Sequence, residues 1–452
     1  MRRLRFGLFE NAQANSGGRS TWRHPDNQRH LFDTHRYWMQ VAGLCEEAGI
    51  DFLFLGDAWG WSEVGGVRPE IATTESLDLP RLDPAVVLAS LIPVTAHLGL
   101  VMTGSVLLEQ PYNFARRMAS LDQLSGGRIG WNIVTTGTAE TAVKAFGVEM
   151  VDHDRRYEMA EDFLQLAYRL WEAAWDRDAV EKDKNGRFAD PDKVHRITHD
   201  GPYFHCDGYG NTAYSPQGTP VLFQAGASPA GRKLGGRHAE CIFIGSGPVA
   251  QLAEHTAAIR AEAVAAGRKA TDVKVMSAFS CVVGSTRQDA QRRYRAVLDT
   301  QSREVTVASY AMFTGIDLSR YPADTPMTEL STQMSQTQVT RFAGRTVGEV
   351  LADWHTHGVG TRPVLGSAEE IADEICALAE GADLDGILLD PIVQPGSTTD
   401  FVESVLPILR RRGVTSTGSD DRTLRQRLFG GGSPCVPASH PAAAYRTGGP
   451  GA

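Results

Sequence analysis

Eight short β-rich runs, separated by stretches of helical periodicity, constrain the fold of this 452-residue chain more than any other feature. The runs are Leu4–Glu10, Asp51–Asp57, Leu98–Val106, Arg128–Thr136, Pro220–Gly226, Cys241–Gly245, Val273–Gly284 and Gly386–Val393. Strand–helix alternation is the pattern of βα units that build a parallel sheet. Near-continuous apolar segments such as Phe52–Leu55 fit strands covered on both faces. Eight such units are the number that closes a (β/α)8 barrel, and chains well above 250 residues can form one.

The helices between the runs carry readable punctuation. Asp83-Pro84 supplies an N-cap and a proline at the first helical position, and Leu88, Leu91 and Ile92 then share one face. Pro93 should end or kink that helix. Pro111 opens the next, Phe114, Ala115, Met118 and Leu121 follow at helical spacing, and Gly126 closes it. A longer helix is predicted over about Arg155–Asp178, and another over Ser367–Glu380.

Two segments are too long for plain barrel loops: about 182–218, after the fourth strand, and about 285–365, after the seventh. Insertions there overhang the face where barrels carry their chemistry. Residues 1–429 read as one barrel domain, whereas the Gly/Ala/Pro-rich tail over 430–452 reads as disordered. Just before it, Leu424, Leu428 and Phe429 form one apolar helical turn that can dock on the barrel or a partner.

Charge and cysteine usage exclude several classes. With 45 Lys and Arg against 54 Asp and Glu, the net charge of −9 argues against nucleic-acid binding. No apolar run approaches the ~18 residues of a membrane span, and the basic N-terminus lacks the apolar core of a signal peptide. Six dispersed cysteines without a CxxC pair suit free thiols in a reducing cytoplasm. No metal site is expected: His195 and His199 have suitable spacing but lack an accompanying HExxH.

Polar residues at strand ends are where a barrel's function is expected. Asp57 ends the second strand and is followed by Trp59 and Trp61; Thr103 and Ser105 lie on the third, and Asn132, Thr135 and Thr136 on the fourth. The fifth ends in Gln224–Ser228, where Gly226 permits a tight turn and Ser228 can cap a helix beginning at Pro229. The free N–H groups of that turn, a hydroxyl and nearby Arg232 suit a phosphate monoester, although a plain Ser cap with nothing bound is the commoner case. His153 and Tyr157, four apart at a helix start, can face the same site. Gly226–Ala230 lacks the spacing of a nucleophile elbow, and Gly208–Ala213 lacks the strand–helix setting of a dinucleotide loop.

Together with these residues, six segments resemble the bacterial-luciferase-like flavin-dependent monooxygenases. They are Trp22–Pro25 (WRHP), Phe52–Asp57 (FLFLGD), Ala115–Thr136, His153–Phe163 (HDRRYEMAEDF), Ser215–Arg232 and Ser367–Ile375. Within that family the likeness is to the branch of nitrilotriacetate monooxygenase, dibenzothiophene-sulfone monooxygenase and pristinamycin synthase, over about Leu4–Phe429. The resemblance implies a luciferase-type barrel in which Asp57, Thr103, Asn132, His153, Tyr157 and Ser228 bind the flavin. Asn132 and Thr103 would lie toward the ring and ribityl chain, and His153, Tyr157 and Ser228 toward the phosphate.

It further implies a two-component enzyme. FMN arrives reduced, as FMNH2, from a separate NAD(P)H-dependent flavin reductase, and O2 is the co-substrate. A peroxyflavin, or an N5-oxygen adduct, passes one oxygen atom to a small natural-product or xenobiotic intermediate. His24 and Trp59 are expected beside the reactive edge, and the family implies a homodimer or homotetramer. An F420-dependent hydride-transfer oxidoreductase and a non-catalytic flavin-binding protein are the alternatives; WRHP and HDRRY favour the FMN branch. Sulfone-cleaving members carry a His in the stretch matching Ala14–Arg19 and a His where Phe313 stands, so a different substrate is expected here.

Overall fold

Eight parallel strands close into a barrel in the computed structural model, which describes residues 3–16, 19–135, 139–226, 228–330, 342–358, 362–415 and 422–446. In chain order the strands are β1 (Arg5–Asn11), β2 (Phe52–Gly56), β3 (Gly99–Ser105), β4 (Ile129–Val134), β5 (Arg196–Asp200), β6 (His205–Tyr209), β7 (Val221–Gln224), β8 (Cys241–Ile244), β9 (Lys274–Phe279), β10 (Cys281–Val283), β11 (Val364–Gly366) and β12 (Gly386–Leu389). Around the barrel the order is β1-β12-β9-β8-β7-β4-β3-β2. Each of the eight runs read from the sequence supplies one barrel strand.

The period-two alternation of strand side chains sorts the apolar residues into two separate cores. Phe52, Phe54, Val101, Val221, Phe223, Cys241, Phe243, Met276 and Leu388 fill the barrel interior. Leu53, Leu55, Leu100, Met102, Ile129 and Leu222 point outward and pack under the helices. Local signals set the helix ends. Asp83 caps Pro84–Leu91, which stops before Pro93, and Pro111–Ser125 ends at Gly126 in the left-handed region, φ 68°. The helix expected over Arg155–Asp178 starts earlier, at His153, and ends in a π-helical turn over Arg169–Ala173.

The seventh run differs from its reading as one strand. It breaks at Ser280, whose carbonyl accepts the Val364 N–H at 2.9 Å, and β10 leaves the barrel to pair with β11. The segment between β10 and β11 builds a small core of its own, in which Tyr310, Leu318, Val350 and Trp354 are buried. The earlier insertion contains the antiparallel hairpin β5–β6.

The C-terminal turn docks on the barrel itself. The Leu424–Phe429 helix inserts Leu424 and Leu428 into the interior core from the N-terminal ends of the strands. The Leu424 N–H donates to Gly127 O at 2.8 Å, and a Cβ on Gly99 would come within 2.6 Å of Leu424 Cδ1. Beside this plug, Arg425 donates two hydrogen bonds to the Glu240 carboxylate, at 2.7 and 2.9 Å, with both side chains buried.

The expectation of a disordered tail is corrected over 430–446. Val436 and His440 are each 1% exposed, His440 Nε2 lies 2.7 Å from His238 O, and Arg446 donates to the buried Glu172 carboxylate at 2.8 Å. Composition counts what a segment can bury by itself; this one is ordered by polar partners that the barrel's outer surface supplies. Residues 447–452 lie outside the described residues. No helix among the described residues is long and apolar enough to cross a membrane.

Candidate active site

Barrel geometry brings Thr103 and Asn132 together at the C-terminal ends of the strands. They are paired across β3 and β4 and lie two residues beyond Val101 and Gly130, on the same inward face. Thr103 Oγ1 donates to Leu55 O at 2.9 Å and accepts from Asn132 Nδ2 at 3.1 Å. Both side chains are buried, and Asn132 Oδ1 has no hydrogen-bond partner among the described residues. Below them, Phe54 meets Phe243 edge-on at 4.9 Å and Phe223 stacks on Phe243 at 5.6 Å, an aromatic floor that keeps water out of the barrel.

Asp57 and Trp59 line a cavity of about 230 Å³ with Met102, Thr103 and Arg81. Burial pushes the Asp57 carboxyl up to about 6, against the opposing pull of the Arg81 guanidinium and the Ala58 N–H. Arg81 stands 3.9 Å from Asp57 and is spent on neighbouring backbone, donating to Ala58 O at 2.7 Å and Asp78 O at 3.0 Å. A larger cavity of about 680 Å³ lies between Val64–Ile71 and the later insertion, but none of the strand-end residues lines it. The smaller one is the cavity that the strand ends line.

Two helix starts meet on the other side of the mouth. Ser228 caps the ten-residue helix Pro229–His238, with Oγ accepting the Gly231 N–H at 3.1 Å. The Tyr157 hydroxyl lies 3.3 Å from that same oxygen. Arg156 Nη1 donates to Thr135 O at 3.3 Å, tying the Tyr157 helix to the end of β4. His153 begins this helix, but its side chain lies outside the described residues, as does Thr136.

His24 stands apart from these groups. Its Nδ1 accepts the Asp26 N–H at 3.3 Å within its own turn, and no hydrogen bond among the described residues links it to Trp59. The WRHP segment is instead fastened to the barrel by Arg29, which donates to Glu10 at 2.8 and 3.0 Å and to the carbonyls of Pro391 and Ile392. Sequence reasoning assigned no role to Arg29, Glu10 or Arg81. For Arg81 the one available signal was its place between Asp78 and Asp83.

The profile of the luciferase-like monooxygenases matches residues 4–384. The chain belongs to this family. The long-chain alkane monooxygenase of Geobacillus thermodenitrificans (strain NG80-2) is 36% identical over 94% of both chains. The dimethyl-sulfide monooxygenase of Hyphomicrobium sulfonivorans is 34% identical over 98% of this chain and 94% of its own. Among crystal structures, a riboflavin lyase with modified FMN and substrate riboflavin superposes with a TM-score of 0.95, at 66% identity over 99% of this chain and all of that one. An F420-dependent secondary alcohol dehydrogenase, at 15% identity and a TM-score of 0.58, shares the fold alone.

This luciferase-like monooxygenase is a flavin-dependent oxidoreductase, and its strand-end residues fit a flavin. Ser228, Tyr157 and a helix N-terminus offer donors to a phosphate. The orphaned Asn132 Oδ1 offers an acceptor to a ring N–H or ribityl hydroxyl, over an apolar floor.

Proposed function

We propose that this luciferase-like monooxygenase takes reduced FMN from a separate NAD(P)H-dependent flavin reductase and uses O2 to oxidise riboflavin. One observation carries the substrate: the 66% identity, over 99% of the chain, to a riboflavin lyase crystallised with riboflavin as substrate. It is nearly double the identity to the alkane and dimethyl-sulfide enzymes. The absence of the His residues of sulfone-cleaving relatives, with Phe313 in one of their places, agrees with a substrate outside that class. Use of a separate reductase is supported by relatives named as one component of a system, such as nitrilotriacetate monooxygenase component A.

When bound, FMNH2 supplies the electrons that reduce one atom of O2 to water while the other passes to substrate. The chain's own part is positioning and exclusion of water. Ser228, Tyr157 and the first turn of Pro229–His238 hold the phosphate, and the family resemblance assigns His153, which begins the Tyr157 helix, to the same role. Thr103, fixed by Leu55 O, aims Asn132 at the flavin. Asp57, ionising near pH 6, can hold or release a proton at the cavity wall, with Trp59 beside it.

The test supplies FMNH2 from an unrelated reductase with NADH and follows riboflavin by chromatography. Riboflavin should disappear only when enzyme, FMNH2 and O2 are all present. Undiminished riboflavin under continuous FMNH2 supply would overturn this reading.

A further inference from the structure

Gln224 ends β7 with its side chain turned out of the barrel. Phe223 before it points into the interior core, and the Gln224 carboxamide lies between the strand and the helix Pro229–His238. The residue is 5% exposed, and its Oε1 has no hydrogen-bond partner among the described residues. Three glycines surround the amide. A Cβ at Gly226 would come within 2.5 Å of Nε2, one at Gly235 within 2.3 Å of Oε1, and one at Gly231 would stand 3.5 Å from Nε2. Nε2 therefore points to Gly226 and Gly231, the turn whose N–H is capped by Ser228, while Oε1 points down the helix.

Leaving the buried Oε1 without a partner is unfavourable, and a leucine would fill the same space without that cost. The amide nevertheless ends among these glycines, with Nε2 beside the turn at Gly226 and Gly231. A donor aimed at the first turn of a capped helix makes sense when an anion sits there. We propose that the Gln224 amide N–H is a further donor to the phosphate monoester of the cofactor. With Ser228 and Tyr157 it makes this seat selective for a flavin that carries a phosphate over one that does not.

The selectivity has a consequence that rests on riboflavin being the substrate. Cofactor and substrate then share ring and ribityl chain and differ only in the phosphate. A seat that reads the phosphate keeps the substrate out of the cofactor's place.

The experiment compares binding of anaerobically reduced FMN and reduced riboflavin to the full chain carrying Gln224→Leu or Gln224→Met, alongside the melting temperature. FMN should weaken roughly tenfold in both variants, as for loss of a hydrogen bond to a charged group, with riboflavin unchanged and the melting temperature not lowered. Gln224→Glu, placing a carboxylate beside the phosphate, should weaken FMN further. Equal weakening of both flavins, or unaltered FMN binding, overturns the proposal. Because these are binding ratios, they stand apart from the substrate reading, which fails only if the wild-type enzyme leaves riboflavin intact.

Discussion

The Tyr157 hydroxyl lies 3.3 Å from Ser228 Oγ, joining two helices that start after different strands of the barrel. The contact ties the end of β4 to the end of β7, and it places two hydroxyls where the Pro229–His238 helix presents its free N–H groups. Neither residue is a site alone; their convergence is what the proposed phosphate seat rests on.

From this seat comes the first prediction. Ser228→Ala should weaken FMN roughly tenfold while leaving riboflavin binding nearly unchanged, because only FMN carries the phosphate. Fluorescence titrations with the two flavins check it. A matching loss for both would assign Ser228 to the helix cap alone, at about 1 kcal/mol of stability.

Asp57 predicts a pH signature. Its native value of about 6 stands above the ordinary 3.8, chiefly through burial, so between these values the folded chain holds a proton that the unfolded chain has released. Stability therefore falls as pH rises through that window. Asp57→Asn removes this contribution: relative to wild type, the ligand-free variant should gain on the order of 2 kcal/mol from pH 4 to pH 6.5, then level off. Urea unfolding at pH 4.5 and 7.5 measures the difference. A constant difference would show that Asp57 does not titrate in this range.

The C-terminal plug rests on a buried ion pair, and removing one partner strands the other. Arg425→Met should destabilise the protein by about 3–5 kcal/mol, since Glu240 is left charged and buried. Leu424→Ala should cost about 2–5 kcal/mol through the cavity it opens inside the barrel. Chemical denaturation reads both, and losses under 1 kcal/mol would mean that the plug is peripheral to the fold.

A disordered tail could be deleted without effect; this one should not be. Ending the chain after Gly432 removes the Arg446–Glu172 and His440–His238 contacts and uncovers Tyr168. The melting temperature should fall, by about 1 °C for each kcal/mol lost in a chain of this size. Unchanged melting would return 433–446 to the class of unattached segments.

Much of the fold was legible because it is written locally. The N-caps at Asp83 and Ser367, the proline start at Pro111 and the glycine stop at Gly126 each depend on a few neighbouring residues, and each stands where the pattern put it. The break of the seventh run at Ser280 was not legible. An apolar, β-branched stretch looks the same whether its second half pairs inside the barrel or with Val364–Gly366 outside it. Of the site, the residue types came from motifs. Arg81 beside Asp57, the orphaned Asn132 oxygen and the Gln224 amide among its glycines came only from packing.

By itself, the sequence determined eight strands, their helices and the capped helix start at Ser228, because hydrophobic period and capping chemistry act over a few residues. Tertiary structure alone decided that Tyr157 meets Ser228, that Asp57 is buried enough to titrate near pH 6, and that the tail is held in place. Those outcomes depend on desolvation and on contacts between residues about seventy or more positions apart, such as Tyr157 with Ser228 and His238 with His440, and no local pattern records either.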